Sequence, residues 1–190
     1  MSDDELQTLL GGVWQRLAKA VEDPADPWRL PALGVQGLNG PSVRMMVLRS
    51  ACRTDRVLTA QTDIRSTKIP GFRKDPRVAW LFYDPASKVQ VRATGRATIH
   101  HNDELTRRAW PSVPETNQLN YSTALPPGAT ISDPALGQAA NDDPASAFAN
   151  FAVIWCEITR IDWLQLGPQS HRRAQFTWNG SEWLAAWTVP

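Results

Sequence analysis

Two groups of side chains in this 190-residue sequence have the types and spacing to hold an anion. Arg44 and Arg49 lie at the two ends of one apolar run, and Arg65-Ser-Thr-Lys68 follows, with Gln61 and Thr62 just before it. Anion capture needs N–H and O–H donors converging in positive potential, and an Arg-Ser-Thr-Lys run at the mouth of a helix supplies both. The same residues also read as a solvated strand end followed by an ordinary Ser/Thr helix cap. Catalysis by side chains alone finds no comparable support. The sequence has no nucleophile elbow, phosphate-cradling glycine loop, dinucleotide fingerprint or metalloprotease helix, and no His stands beside a Ser or Cys in a recognisable pattern. Cys52 and Cys156 form no C-x-x-C pair, so neither a disulfide nor a structural metal is expected, and both read as small core residues. His100-His101 reads as a strand end, because neighbouring strand residues point to opposite faces.

Charge is unevenly distributed behind the net value of +1. Residues 1–30 carry six acids and three bases, residues 44–108 fourteen bases and six acids, and residues 109–157 five acids and no base. The middle third therefore attracts anions: a polynucleotide, a phosphate-bearing cofactor or an acidic partner. With 42% hydrophobic and 21% charged residues the chain is not a disordered one. No apolar stretch reaches the roughly 18 residues of a spanning helix. The acidic start, Met1 to Glu5, is the wrong charge for a signal or transit peptide. A cytoplasmic protein with no membrane contact is expected.

The elements that must position these residues are mostly strands. An amphipathic helix is predicted over about 2–22, with Ser2 and Glu5 as a capping box and Leu6, Leu9, Leu10, Val13, Trp14, Leu17 and Val21 at helical spacing. Residues 22–41, with four prolines and three glycines, read as a connector. Runs rich in β-branched and aromatic residues predict strands at 43–50, 57–62, 78–83, 88–99 and 151–161, and Asn179-Gly180 predicts a hairpin between 174–178 and 182–188. In 88–99 the alternation puts Gln90, Arg92 and Thr94 on one face and Val89, Val91 and Ala93 on the other, with Gly95 a candidate bulge. Short helices are expected near 66–74 and from an Asn102 cap to Trp110, and 111–149, with six prolines, as a long loop. One domain results: a mainly β fold, a small antiparallel barrel with helices packed outside it. Trp178, Trp183 and Trp187 read as core or interface.

Four segments in order carry a resemblance. Arg44-Met-Met-Val-Leu-Arg49, Gln61-Thr-Asp-Ile-Arg-Ser-Thr-Lys68, Asp75-Pro-Arg-Val-Ala-Trp-Leu-Phe82 and Val89-Gln-Val-Arg-Ala-Thr-Gly95 resemble the successive FMN-binding segments of the pyridoxamine 5'-phosphate oxidase-like split-barrel flavoproteins. Trp163 through His171-Arg-Arg173 resembles that family's last hairpin. The resemblance implies a six-stranded antiparallel split barrel and a homodimer with FMN at the subunit interface. It implies an oxidoreductase in which a small substrate, such as pyridoxamine or pyridoxine 5'-phosphate, passes a hydride to FMN. It places Arg44, Lys68, Thr62, Ser66 and Thr67 at the FMN phosphate, and Met45, Met46, Val47 and Leu48 along the ring system through main-chain groups. Arg49, Gln61, Arg65, Gln90, Trp163 and Arg173 complete the implied cofactor set, with Trp163 serving the partner's side of the site. His171, Arg173 and Thr116 are the implied substrate residues.

The chain departs from the family on the substrate side. Arg49 stands where the family has a lysine, Ser112 near its substrate-phosphate arginine, and Gln175 at its last flavin-contacting arginine; Arg107 or Arg108 is a candidate replacement for the missing cation. Two other readings stay open: a flavin or haem binder that turns over no vitamer, and a barrel that stacks aromatic rings on oligonucleotide bases.

Overall fold

The computed structural model describes residues 2–139, 145–168 and 170–190. The first helix, α1 (Ser2–Glu22), buries Leu6, Leu10, Val13, Trp14, Leu17 and Ala20, the stripe the spacing predicts. The Ser2 side chain, and with it the expected capping box, lies outside the described residues.

Nine strands form one antiparallel sheet: β1 (Ala32–Gly37), β2 (Gly40–Met45), β3 (Ser50–Cys52), β4 (Val57–Asp63), β5 (Arg77–Asp84), β6 (Val89–His101), β7 (Phe151–Gln165), β8 (Arg172–Trp178) and β9 (Trp183–Thr188). Their order is β2-β1-β5-β6-β7-β4-β3, with the β8–β9 hairpin joined to β7. The sheet is open, as a split barrel requires. The 15-residue β7 organises the split: residues 151–157 pair with β4, residues 160–165 with β8, and β6 lies along both parts.

The expected strand set is corrected in two places. The 22–41 connector holds β1 and the start of β2, because its prolines flank β1 or fall on the edge strand β2, where a missing N–H breaks no ladder. The predicted strand 43–50 is interrupted at 46–49, which crosses between the two edges of the open sheet. Met46 N donates to Pro31 O at 2.9 Å and Leu48 N to Arg29 O at 3.0 Å on one side, and Arg49 N donates to Thr59 O at 2.9 Å on the other. The seven strands read from the sequence thereby become nine among the described residues, and the open antiparallel sheet is the one a split barrel implies.

Two cores sit on opposite faces of the sheet. The larger one packs α1 against Leu33, Leu58, Trp80, Phe82, Ile154, Ile158 and Phe176, and each such side chain contributes about 1.5–3 kcal/mol through burial. Cys156 is buried there, and Trp183 and Trp187 pack against it. The smaller core joins Val113, Phe151 and Val153 to Trp110, Tyr121 and Phe148, with Trp110 at 5.1 Å from Phe151 and 5.7 Å from Phe148. It pins the described parts of the 111–149 segment at both ends; these parts hold short turns, including α4 (Glu115–Gln118), and end in α5 (Ala145–Asn150). Between the strands lie α2 (Ile69–Lys74) and α3 (Glu104–Ala109). The α3 cap is Asp103, one residue later than expected: its carboxylate accepts from Thr106 N at 3.0 Å, while Asn102 takes a left-handed φ of 54°. The Asn179-Gly180 hairpin forms as read, with Gly180 at φ 110° and the Asn179 side chain accepting from Ser181 and Glu182 N–H groups.

Candidate functional site

The turn from β4 into α2 gathers the predicted phosphate donors. Lys68 Nζ donates to Thr62 Oγ1 and to Ser66 Oγ, both at 2.7 Å. Arg44, on β2, donates to Ser42 Oγ. The helix-mouth reading is corrected in detail: α2 starts at Ile69 and Lys68 is its N-cap, so the donors belong to the 62–68 turn rather than to a helix end. Asp63, only 6% exposed, is the carboxylate in this turn. Arg65 engages it with Nε at 3.1 Å and Nη2 at 2.7 Å, then donates from Nη1 to Thr123 O at 2.7 Å. Arg65 thus neutralises Asp63 and ties down the 111–139 stretch, and its fork is spent before any ligand arrives. Thr67 is exposed, and a Cβ at Gly128 would lie 3.0 Å from its methyl group, so the same stretch passes beside it.

Lys68 and Arg44 are left with no acidic partner among the described residues. Burial, and then repulsion from Arg44, push the Lys68 ammonium down to about 8 against the pull of Asp63. The sign follows directly. Below about pH 8 Lys68 is charged and would meet a phosphate as a charge-assisted donor; above it a proton would have to be taken up on binding. Affinity for a phosphate-bearing ligand is therefore expected to fall as pH rises through 8, toward tenfold per unit, while a phosphate-free analogue changes little. Isothermal titrations at pH 7 and pH 9.5 with both ligands check this.

The 45–48 strip runs on from Arg44, whose charge acts on Lys68, to Arg49, whose N–H donates to Thr59 O on β4. Its main-chain N–H groups at 46 and 48 are committed to residues 31 and 29; Leu48 is buried, Met46 and Val47 are half-buried and Met45 is 63% exposed. Met45 starts a row of paired residues crossing the sheet's outer face through Ala32, Leu81, Arg92, Asp162, Gln175 and Ala186. Gln90 lies on that face, between Tyr83 and Leu164. At its centre the buried Asp162 accepts from Arg92 Nη2 at 2.8 Å, Arg173 Nη2 at 2.8 Å and Gln175 Nε2 at 3.1 Å. Burial alone would raise the Asp162 carboxyl, but the arginine hydrogen bonds outweigh it and hold it below the usual carboxylate range.

The structure thus assembles Arg44, Thr62, Ser66, Thr67 and Lys68 in one place and puts Gln90 and Arg173 on the outer face, with Arg173 paired to Asp162. Trp163 faces the other way and is buried in the core under α1. His171 is exposed just before β8, and Thr116 is exposed on α4. Arg107 and Arg108 pair with Glu104 at 3.9 and 2.9 Å. Sequence reasoning missed Asp63 and Asp162. An acid inside an apolar strand run, as in Ile161-Asp-Trp163, was the available signal for Asp162.

Residues 13–101 match the family model for the pyridoxamine 5'-phosphate oxidase FMN-binding domain. Among solved structures, a pyridoxamine 5'-phosphate oxidase-related FMN-binding protein from Nostoc punctiforme superposes with a TM-score of 0.75 at 21% identity, covering 94% of this chain and 96% of that one. PhzG from Burkholderia lata, solved with tetrahydrophenazine-1-carboxylic acid, superposes with a TM-score of 0.76 at 17% identity, covering 95% and 92%. A general stress protein 26-related protein from Clostridium acetobutylicum gives 0.52 at 13% identity, covering 84% and 94%. No curated protein matches the sequence. The resemblance carried by the four segments is thereby borne out: the chain has the fold of the pyridoxamine 5'-phosphate oxidase-like split-barrel proteins, and its residues 13–101 match that family's FMN-binding domain.

Proposed function

We propose that the protein binds FMN as a homodimer and acts as an oxidoreductase on a small molecule. The observation that carries this reading is the pair of uncompensated cations, Arg44 and Lys68, converging with the Thr62 and Ser66 hydroxyls in the segment that matches an FMN-binding domain. Two cations and two hydroxyls suit a terminal phosphate. FMN, when bound, supplies the hydride-accepting chemistry, so the lack of a side-chain triad does not weigh against an enzyme. The chain's own part is to anchor the phosphate from the 62–68 turn and to present the 45–48 strip to a flat ring.

The dimer rests on the outer face. Val43 is 69% exposed, Met45 63%, Tyr83 46% and Leu81 40%, an apolar strip beside the Arg92–Asp162–Arg173 network that a second copy would cover. The oligonucleotide reading loses support, because the aromatic rings mostly lie in the two cores and Arg65, Arg92 and Arg173 are tied to acids.

The test is the visible spectrum of the purified protein before and after adding FMN and gel filtration, with the elution volume read from the same run. Flavin bands that co-elute with a particle of twice the chain mass are expected. A colourless monomer that rejects FMN would overturn the proposal, and a retained flavin with no turnover of any reductant would leave a carrier in place of an enzyme.

A further inference from the structure

A cavity of about 280 Å³ lies on the face of β4 that carries the smaller core, and it is lined by Arg49, Gln61, Thr59, Arg108, Ser112 and Trp155 among others. Gln61 and Thr62 are adjacent strand residues, so Gln61 faces this cavity while Thr62 faces the phosphate turn. Two polar atoms here are buried without a hydrogen-bond partner among the described residues: the donor Arg49 Nε and the acceptor Gln61 Oε1. Leaving such atoms unpaired costs about 1–3 kcal/mol each, more when charged. They do not pair with each other although both line one small space. Arg49 has no acidic partner among the described residues, and burial, then the charge of Arg29, disfavour its own charge. By contrast Arg108 at the rim is held by Glu104 and exposed. Ser112 Oγ donates to Ala109 O at 2.7 Å.

We infer that this cavity is a substrate subsite for a small planar carboxylic acid that also carries an N–H or O–H donor. The inference rests on the flavin reading above and assigns Arg49 and Gln61 to the substrate rather than to the cofactor. A carboxylate is favoured over a phosphate because the interior offers one unpaired guanidinium, whose planar fork matches a carboxylate, whereas the paired cations and hydroxyls suited to a phosphate are gathered on the other side of β4. Gln61 Oε1 accepts from the ligand's donor. Trp155, whose ring meets His100 edge-on at 6.0 Å, gives the cavity a flat apolar wall. The volume lies just below the usual range for ligand sites, roughly 300–1,000 Å³, which limits the occupant to about one ring.

The test is calorimetric titration of the protein as purified, with its flavin absorbance recorded first. 4-Aminobenzoate, benzoate, 4-aminobenzamide and phenyl phosphate serve as probes. 4-Aminobenzoate is expected to bind tightest. Arg49→Met should weaken it by roughly tenfold to a hundredfold, with Arg49→Lys in between. Gln61→Leu should weaken 4-aminobenzoate by about tenfold yet leave benzoate nearly unchanged, since benzoate has no donor to lose. Equal binding of the neutral amide, tighter binding of phenyl phosphate, or an Arg49→Met protein that melts normally and binds 4-aminobenzoate as before would each overturn the inference. Failure of the flavin reading would show separately, as absent flavin absorbance and rejection of added FMN before any probe is titrated.

Discussion

A protein with Arg44→Ala and Lys68→Ala combined is expected to purify folded and colourless, with FMN affinity lowered by roughly 10²–10⁴. Each residue stands for one charge-assisted contact of about 1.5–3 kcal/mol, and the two sum to that range if they act independently. They are neighbours, so some coupling is expected: Arg44 depresses Lys68, and removing Arg44 alone should raise the Lys68 ammonium and recover part of the loss. Folding should survive, because neither side chain belongs to a core and neither makes an ion pair among the described residues. Burial disfavours the charged form of Lys68, so its ammonium is expected to carry a penalty in the folded state that is full below about pH 8 and fades as pH rises toward the ordinary lysine value. The flavin-free variant should therefore melt no lower than the flavin-free wild type. Fluorescence titration with FMN and with riboflavin measures the first claim. Riboflavin has no phosphate, so its affinity should be nearly unchanged, and an equal loss for both ligands, or an undiminished yellow colour, would refute the phosphate assignment.

The proposed phosphate site was legible because its chemistry is local. Thr62, Ser66 and Lys68 sit within one turn, where sequence proximity is spatial proximity, and only Arg44 had to be brought from another strand. The outer-face network was not legible in the same way. Asp162 pairs with Arg92, seventy residues away, and only the β6–β7 and β7–β8 registers reveal that one carboxylate holds two arginines. Arg65 is the opposite case. Its place in the donor-rich run suggested a ligand contact, but Asp63 two residues earlier offered a partner at contact distance, and a buried carboxylate takes the nearest fork. The missed strand β1 has a similar cause. Pro31 and Pro41 marked its surroundings as irregular, yet proline breaks a sheet only where its N–H is needed, and Pro41 lies on an edge. For Trp163 the resemblance indicated a position in the fold, while the alternation along β7 decided which face the ring would take, and that face is the core.

Gly95→Ala is expected to be the most destabilising single methyl group that can be added to this chain's sheet. Gly95 is buried where β6 crosses β7, and the register slips there: Thr94 pairs with Arg160 but Gly95 with Ile158, leaving Thr159 as the extra residue. A Cβ at position 95 would stand 1.9 Å from Glu157 O and 2.9 Å from Ile158 Cα. Both are backbone atoms of β7, so no side-chain rotation relieves the overlap and the strand itself must move. β7 has little freedom to do so. Residues 151–157 are held by β4, residues 160–165 by β8, and Ile158 N donates to Arg56 O at 2.7 Å within the bulge. The displacement would open one ladder to spare the other, and the loss should reach about 3–5 kcal/mol, the range of severe core substitutions. For a chain of this length that lowers the melting temperature by roughly 6–20 °C. Gly12→Ala is the matched control. Gly12 is an exposed position of α1 where an added Cβ meets nothing within 4 Å, so the same methyl group should stabilise the helix by up to about 1 kcal/mol. Thermal unfolding of the two variants beside the wild type should therefore shift in opposite directions. A Gly95→Ala protein that melts with the wild type would mean that β6 and β7 do not approach this closely, and the bulge at which β7 passes from β4 to β8 would have to be drawn elsewhere.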